Sequence, residues 1–158
     1  LIGVPVVAKE EGWGISPREA QALVNVGVAA IDVAGAGGTS WSQVEMYRAR
    51  TEVQRKVAAA FADWGIATAD SIRYVREAAP EMTIFASGGL KTGVDGAKCI
   101  ALGATLFGMA GPFLRAGALS AQASADEVAV VVGQLRATML CAGAGSVGEV
   151  QQLKLSET

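Results

Sequence analysis

The chain has 158 residues, 51% of them hydrophobic, which is the usual size of one domain with enough apolar side chain for a core and excludes a disordered polymer. Lys plus Arg number 13 and Asp plus Glu 15, a net charge of -2 scattered along the chain, which argues against a nucleic-acid or anionic-membrane binder driven by bulk charge. Histidine is absent, removing every His-dependent triad, His metal site and imidazole base from this chain.

Leu1 is not a start methionine, and the text opens in a strand-like run, Val4 to Ala8, that stops at Lys9-Glu10-Glu11-Gly12. Ser16-Pro17-Arg18-Glu19 predicts a helix start, with Ser16 as N-cap, Pro17 at the first helical position and Glu19 closing a capping box. A second strand, Ala29 to Ala34, runs into the glycine cluster Gly35 to Gly38 with Thr39 and Ser40. Residues 42–65 form a long connection with a charged helical stretch near Val44 to Ala62; such connections are usually lids or binding loops. Trp41 and Trp64 bracket it, either lining a lid or pinning the segment to the core.

A helix follows from Thr68, through Ile72 and Val75, to Pro80. The third strand is Met82 to Ala86, its loop is Ser87 to Gly93, and a helix runs from Val94 to Leu102. The fourth strand, Ala104 to Met109, leads into Ala110-Gly111-Pro112. The last helix is expected over Ala125 to Cys141, with Val128, Val131, Val132, Leu135 and Met139 inward. Apolar strands alternating with helices predict a parallel sheet covered on both faces.

Four such units fit either a small open sheet or part of a closed barrel. In a (βα)8 barrel, ligand groups sit at the C-terminal strand ends and a phosphate site commonly uses the loops after strands 7 and 8. Here Ser87-Gly88-Gly89 and Ala110-Gly111-Pro112 occupy the third and fourth loops, so the chain reads as strands 5 to 8 of a TIM-type barrel. Lys9, at the first strand's end, is either a solvated lysine or an ammonium balancing an anionic ligand.

Other motifs carry less. Gly143 to Gly148 spells G-x-G-x-x-G but follows a helix, so it reads as a helix stop or flexible tail rather than a dinucleotide turn. Glu10 and Glu11 are adjacent and Asp32 sits at a strand end, leaving no carboxylate pair at useful spacing. Cys99 and Cys141 are too few for a thiolate zinc cage, and no apolar run reaches the roughly 18 to 20 residues of a membrane helix. A soluble, cytoplasmic protein with reduced, buried thiols is expected.

Val4-Pro5-Val6-Val7-Ala8-Lys9-Glu10, Ile31 to Trp41, Phe61-Ala62-Asp63-Trp64-Gly65-Ile66 and Ala86 to Asp95 together resemble the type 2 isopentenyl-diphosphate delta-isomerases. The likeness covers nearly all of residues 1–158 and corresponds to the C-terminal half of that enzyme. It implies an FMN-dependent barrel interconverting isopentenyl and dimethylallyl diphosphate, with NADPH reducing the flavin and Mg2+ on the substrate diphosphate. It also implies a homo-oligomer of the full-length protein. Lys9 matches the lysine at the isoalloxazine ring, and Thr39 a loop threonine contacting FMN. Gly88, Gly89, Leu90 and Lys91 match the loop around the FMN phosphate, and Ala110 with Gly111 its partner loop.

Ala34 departs from the serine of many relatives, which removes one side-chain hydrogen bond worth about 1 kcal/mol. The substrate-diphosphate and Mg2+ residues are expected outside these residues, so the 158-residue piece alone is expected to be inactive. An FMN oxidoreductase of the 2-hydroxy-acid oxidase type shares the two phosphate loops but relies on a histidine in this half. A non-catalytic, phosphate-binding half-barrel is the third alternative.

Overall fold

The computed structural model describes residues 3–156. Four parallel strands, β1 (Val7–Lys9), β2 (Ala30–Asp32), β3 (Thr83–Ala86) and β4 (Leu106–Phe107), lie side by side in chain order. The register pairs Lys9 with Asp32, Asp32 with Phe85 and Phe85 with Leu106. Right-handed crossovers between strands laid down in sequence place the crossover helices on one side of the sheet, where Ala20, Ile72, Val75 and Cys99 pack with Ile31 and Ile84, the winding of a barrel rather than of a doubly wound sheet. The strands are shorter than their apolar runs, and β1 and β4, at the two edges, each pair on one side only. Pro5 has no amide to offer, so the first ladder begins after it, where Val6 accepts from the Ala29 amide at 2.8 Å.

The expectation of a sheet covered on both faces is corrected. Ile31 and Val33 of the second strand segment and Ile84 and Ala86 of the third point into the main core with Ile15, Ala20, Ile72, Val75, Leu90 and Cys99. Alternation sends Asp32 and Phe85 to the opposite face, where the flanking Val7 and Leu106 remain 45% and 44% exposed. That face carries the layer a closed barrel would bury.

Helix α1 (Pro17–Asn25) begins as the sequence predicts: the Glu19 amide donates to Ser16 Oγ and the Ser16 amide donates to Glu19 Oε2 at 2.9 Å. Residues 42–65 are not structureless, for Trp41–Arg48 forms α2 and Glu52–Ala59 forms α3. Next comes α4 (Thr68–Ala78), whose fully buried Ser71 accepts the Ile15 amide at 2.7 Å and donates to its carbonyl at 3.0 Å. The third crossover is α5 (Gly93–Ala101), and after β4 come α6 (Gly111–Leu119), α7 (Ala121–Cys141) and α8 (Val147–Val150).

Two helix expectations change. The long helix α7 starts at Ala121 because Ser120 caps it, accepting the Ala123 amide at 2.9 Å. Its inner side is set by Val131, Leu135 and Met139, while Val128 and Val132 face outward, 50% and 37% exposed. The reason is close approach to α5: a Cβ on Gly93 would lie 2.2 Å from the Val131 carbonyl oxygen, and Gln134 Oε1 accepts the Gly93 amide at 2.8 Å. Gly143 ends α7 in the left-handed conformation, so the glycine-rich tail motif is a helix stop. Cys99 is buried, and that burial, with Asp95 nearby, pushes its thiol up to about 11; Cys141 is exposed, against expectation.

Candidate functional site

A cleft of about 770 Å³ opens at the C-terminal ends of the four strands. All eight residues singled out from the sequence line it: Lys9 from the first strand, Thr39 after the second, Gly88, Gly89, Leu90 and Lys91 after the third, and Ala110 and Gly111 after the fourth. They do not all contribute in the same way. Leu90 is 8% exposed with its side chain in the main core, so what it offers the cleft is main chain. Thr39 is an exposed loop residue whose carbonyl packs over Gly12. Trp41 also lines the cleft and donates from Nε1 to the Glu11 carbonyl at 3.0 Å, whereas Trp64 packs edge-on against Phe61 and does not line it.

The glycine loops have two distinct reasons to lack Cβ atoms. Gly88 sits at φ +108°, and a Cβ there would meet the Gly35 carbonyl oxygen at 2.2 Å; the loop after β3 is nested against the loop after β2. Thr68 of α4 fastens this nest, donating from Oγ1 to the Gly88 carbonyl at 2.7 Å. Gly108 and Gly111 are different. A Cβ on Gly108 would meet nothing within 4 Å, and one on Gly111 only the tip of Arg115 at 3.4 Å, so these two leave open space in the cleft.

The two helix starts that flank this space also differ. Helix α5 is closed by its own residues: Thr92 caps it, and Asp95 Oδ2 accepts the amides of Lys91 and Thr92, each at 3.0 Å. Partial burial alone would raise the Asp95 carboxyl, but those amides and the Thr92 hydroxyl outweigh it and hold the group below its ordinary 3.8. The Lys91 amide is therefore spent locally, leaving its ammonium as what it can present. Helix α6 has no side-chain cap, and its Ala110, Gly111 and Pro112 all line the cleft. Helical geometry leaves the Gly111 and Phe113 amides without intrahelical partners, and the positive end of the helix axis points the same way.

Arg115, one turn into α6, also reaches the cleft and was missed from sequence; its spacing from Gly111 on a helix beginning at that glycine is the signal that could have found it. Charge is thereby segregated across the sheet. Lys91 and Arg115 stand beyond β3 and β4, and Glu10 and Glu11 beyond β1. Glu10 is turned onto its own loop, its Oε2 accepting the amides of Glu11, Gly12 and Trp13 at 2.6 to 2.7 Å. An open cradle with free helix-terminal amides, a lysine and an arginine is suited to a phosphate group.

On the floor of the cleft, Lys9 Nζ lies 2.6 Å from Asp32 Oδ2 and donates to Ser87 Oγ at 3.2 Å, while Ser87 Oγ donates to Asp32 Oδ1 at 2.6 Å. Sequence reading set Asp32 aside for want of a second carboxylate; its partner is a lysine on the neighbouring strand, visible only once the register is known. Among the described residues no cluster of three or more His, Cys, Asp or Glu could hold a metal ion, and no helix is long and apolar enough to cross a membrane.

The geometry agrees with comparisons to known proteins. Isopentenyl-diphosphate delta-isomerase of Rickettsia bellii is 46% identical over 154 residues, 98% of this chain and 45% of that protein, and the Rickettsia felis protein of the same name is 47% identical over the same span. The chain thus spans less than half the length of these curated relatives. A mandelate oxidase solved with a monooxide FMN adduct superposes with a TM-score of 0.71 at 20% identity, over 96% of this chain and 41% of that one, which shows a shared barrel fold. The sequence model of the FMN-dependent dehydrogenases matches residues 3–157, and the chain belongs to that family.

Proposed function

We propose that these residues form the FMN-holding half of a type 2 isopentenyl-diphosphate delta-isomerase, which interconverts isopentenyl and dimethylallyl diphosphate. The single observation that carries the reading is the convergence, in one cleft, of the two glycine loops, the uncapped start of α6, Lys91 and Arg115, beside the Lys9 ammonium. The names of the relatives support the substrate class. The open space at Gly108 and Gly111 supports a ligand with a phosphate tail.

In this reading Gly88 to Lys91, Ala110, Gly111 and Arg115 bind the FMN phosphate, and Thr39 contacts the cofactor from the second loop. Lys9 sits at the isoalloxazine ring, its ammonium paired with Asp32 on the cleft floor. Bound reduced FMN supplies a centre able to hold a proton or stabilise charge while the double bond moves, with no net oxidation of substrate. NADPH serves to reduce it, and Mg2+ accompanies the substrate diphosphate.

The test uses the full-length protein with FMN, Mg2+, NADPH and isopentenyl diphosphate under anaerobic conditions. Formation of dimethylallyl diphosphate that stops when FMN is removed is the expected result. A flavoprotein that instead oxidises lactate or mandelate and leaves the diphosphate untouched overturns the reading.

A further inference from the structure

Lys9, Asp32 and Ser87 close a three-membered ring across three adjacent strands. Because Ile31 and Val33 point into the core, Asp32 projects to the cleft side, and the register sets it directly beside Lys9. Both carboxylate oxygens are engaged: Oδ2 by the ammonium, and Oδ1 by Ser87 Oγ at 2.6 Å and the Ala34 amide at 3.3 Å. Asp32 is 14% exposed and Lys9 55%, so the carboxylate is the anchored member and the ammonium the one presented to the cleft. A carboxylate so occupied is poorly placed to take a proton from a substrate. It is well placed to hold a lysine still and to offset its charge.

We propose that Asp32 is a positioning residue, which with Ser87 fixes the Lys9 ammonium at the flavin ring and balances its charge, so that the floor presents a neutral pair. The inference rests on the functional reading above. A neutral pair gives little bias between oxidised and reduced ligand, whereas a bare lysine favours the anionic reduced form. Asp32 therefore keeps the cleft able to retain FMN in either state, and its loss makes the site selective for the reduced one.

The measurement is the two-electron midpoint potential of FMN bound to the full-length protein, together with the dissociation constants of both oxidation states. Asp32→Asn is expected to raise the preference for reduced over oxidised FMN about tenfold, an upward shift of about 30 mV for a two-electron couple. Lys9→Met shifts the potential downward, the Lys9→Met/Asp32→Asn double variant returns close to the parent, and Asp32→Glu, which keeps the charge, stays near the parent throughout. If Asp32→Asn does not fold, Asp32→Ser tests the same upward shift with a smaller neutral side chain.

A purely structural role would weaken both oxidation states alike and leave the potential unmoved. An unmoved or lowered potential in the neutral variants, or shifts of the same sign on losing Lys9 and on losing Asp32, overturns the proposal while the flavin reading stands. A parent protein that binds no FMN overturns both.

Discussion

Gly88→Ala and Gly111→Ala separate the two kinds of glycine in the cleft. At Gly88 the new methyl meets the Gly35 carbonyl oxygen at 2.2 Å, the Gly35 nitrogen at 2.5 Å and Thr68 Oγ1 at 2.7 Å, with φ at +108°. Backbone conformation costs an L residue there about 1 to 2 kcal/mol. Displacing main chain in a packed nest costs about 1 to 3 kcal/mol, and losing the Thr68 bond to the Gly88 carbonyl about 1 kcal/mol more. The expected loss is about 3 to 6 kcal/mol, a large share of a typical domain's stability. Urea unfolding of the full-length protein, followed by circular dichroism, reads it directly. Gly111→Ala adds its methyl in open space at a helix start, so stability stays within about 0.5 kcal/mol of the parent, while FMN affinity falls at least about tenfold as the cradle fills. A Gly88→Ala protein less than about 1 kcal/mol below the parent, or a Gly111→Ala protein with unchanged FMN affinity, would refute a packing demand at Gly88 and an open cradle at Gly111.

Three further outcomes follow from the geometry. Ser71→Ala leaves the buried Ile15 amide without its partner and is expected to cost about 1 to 3 kcal/mol in thermal or urea unfolding, with FMN affinity unchanged. Asp95→Ala removes the carboxylate half of the α5 capping box, leaving Thr92 in place, and costs about 1 kcal/mol at neutral pH. The folded-state Asp95 value is depressed, so its contribution is present above the ordinary 3.8 and lost as pH falls through the lower folded value; the gap between parent and variant in pH-dependent unfolding should close in that acid window. At neutral pH a thiol reagent should label exposed Cys141 at once and buried Cys99 only after unfolding, as peptide mapping by mass spectrometry would report.

What the sequence made legible was local. The Ser16 to Glu19 capping box lies within four residues, and the helix forms from it as written. The ordered strand-helix repeats came through because each strand lies in a largely apolar run, and the cleft residues because glycines cluster at the strand ends. What stayed hidden depends on neighbours distant in the chain. Asp32 needed the register to find Lys9, and Gly88 needed the second loop to show that its missing Cβ serves packing. Val128 and Val132 look like core in a helical projection, yet the contact of α7 with α5 is set by Gly93 and Gln134, which turns them outward. The Ser120 cap lacks the acidic residue three positions on that marked the first helix, so the start of α7 was placed late.

The unequal helix starts beside the phosphate cradle bear on how this region breathes. Because Thr92 and Asp95 close α5 from within, its opening turn needs no guest, and amide exchange there should be slow whether or not the cleft is filled. The opening turn of α6 has no such self-sufficiency. Its order is on loan from whatever anion docks, so vacating the cleft should fray α6 first, and filling it should shield those amides in proportion to occupancy.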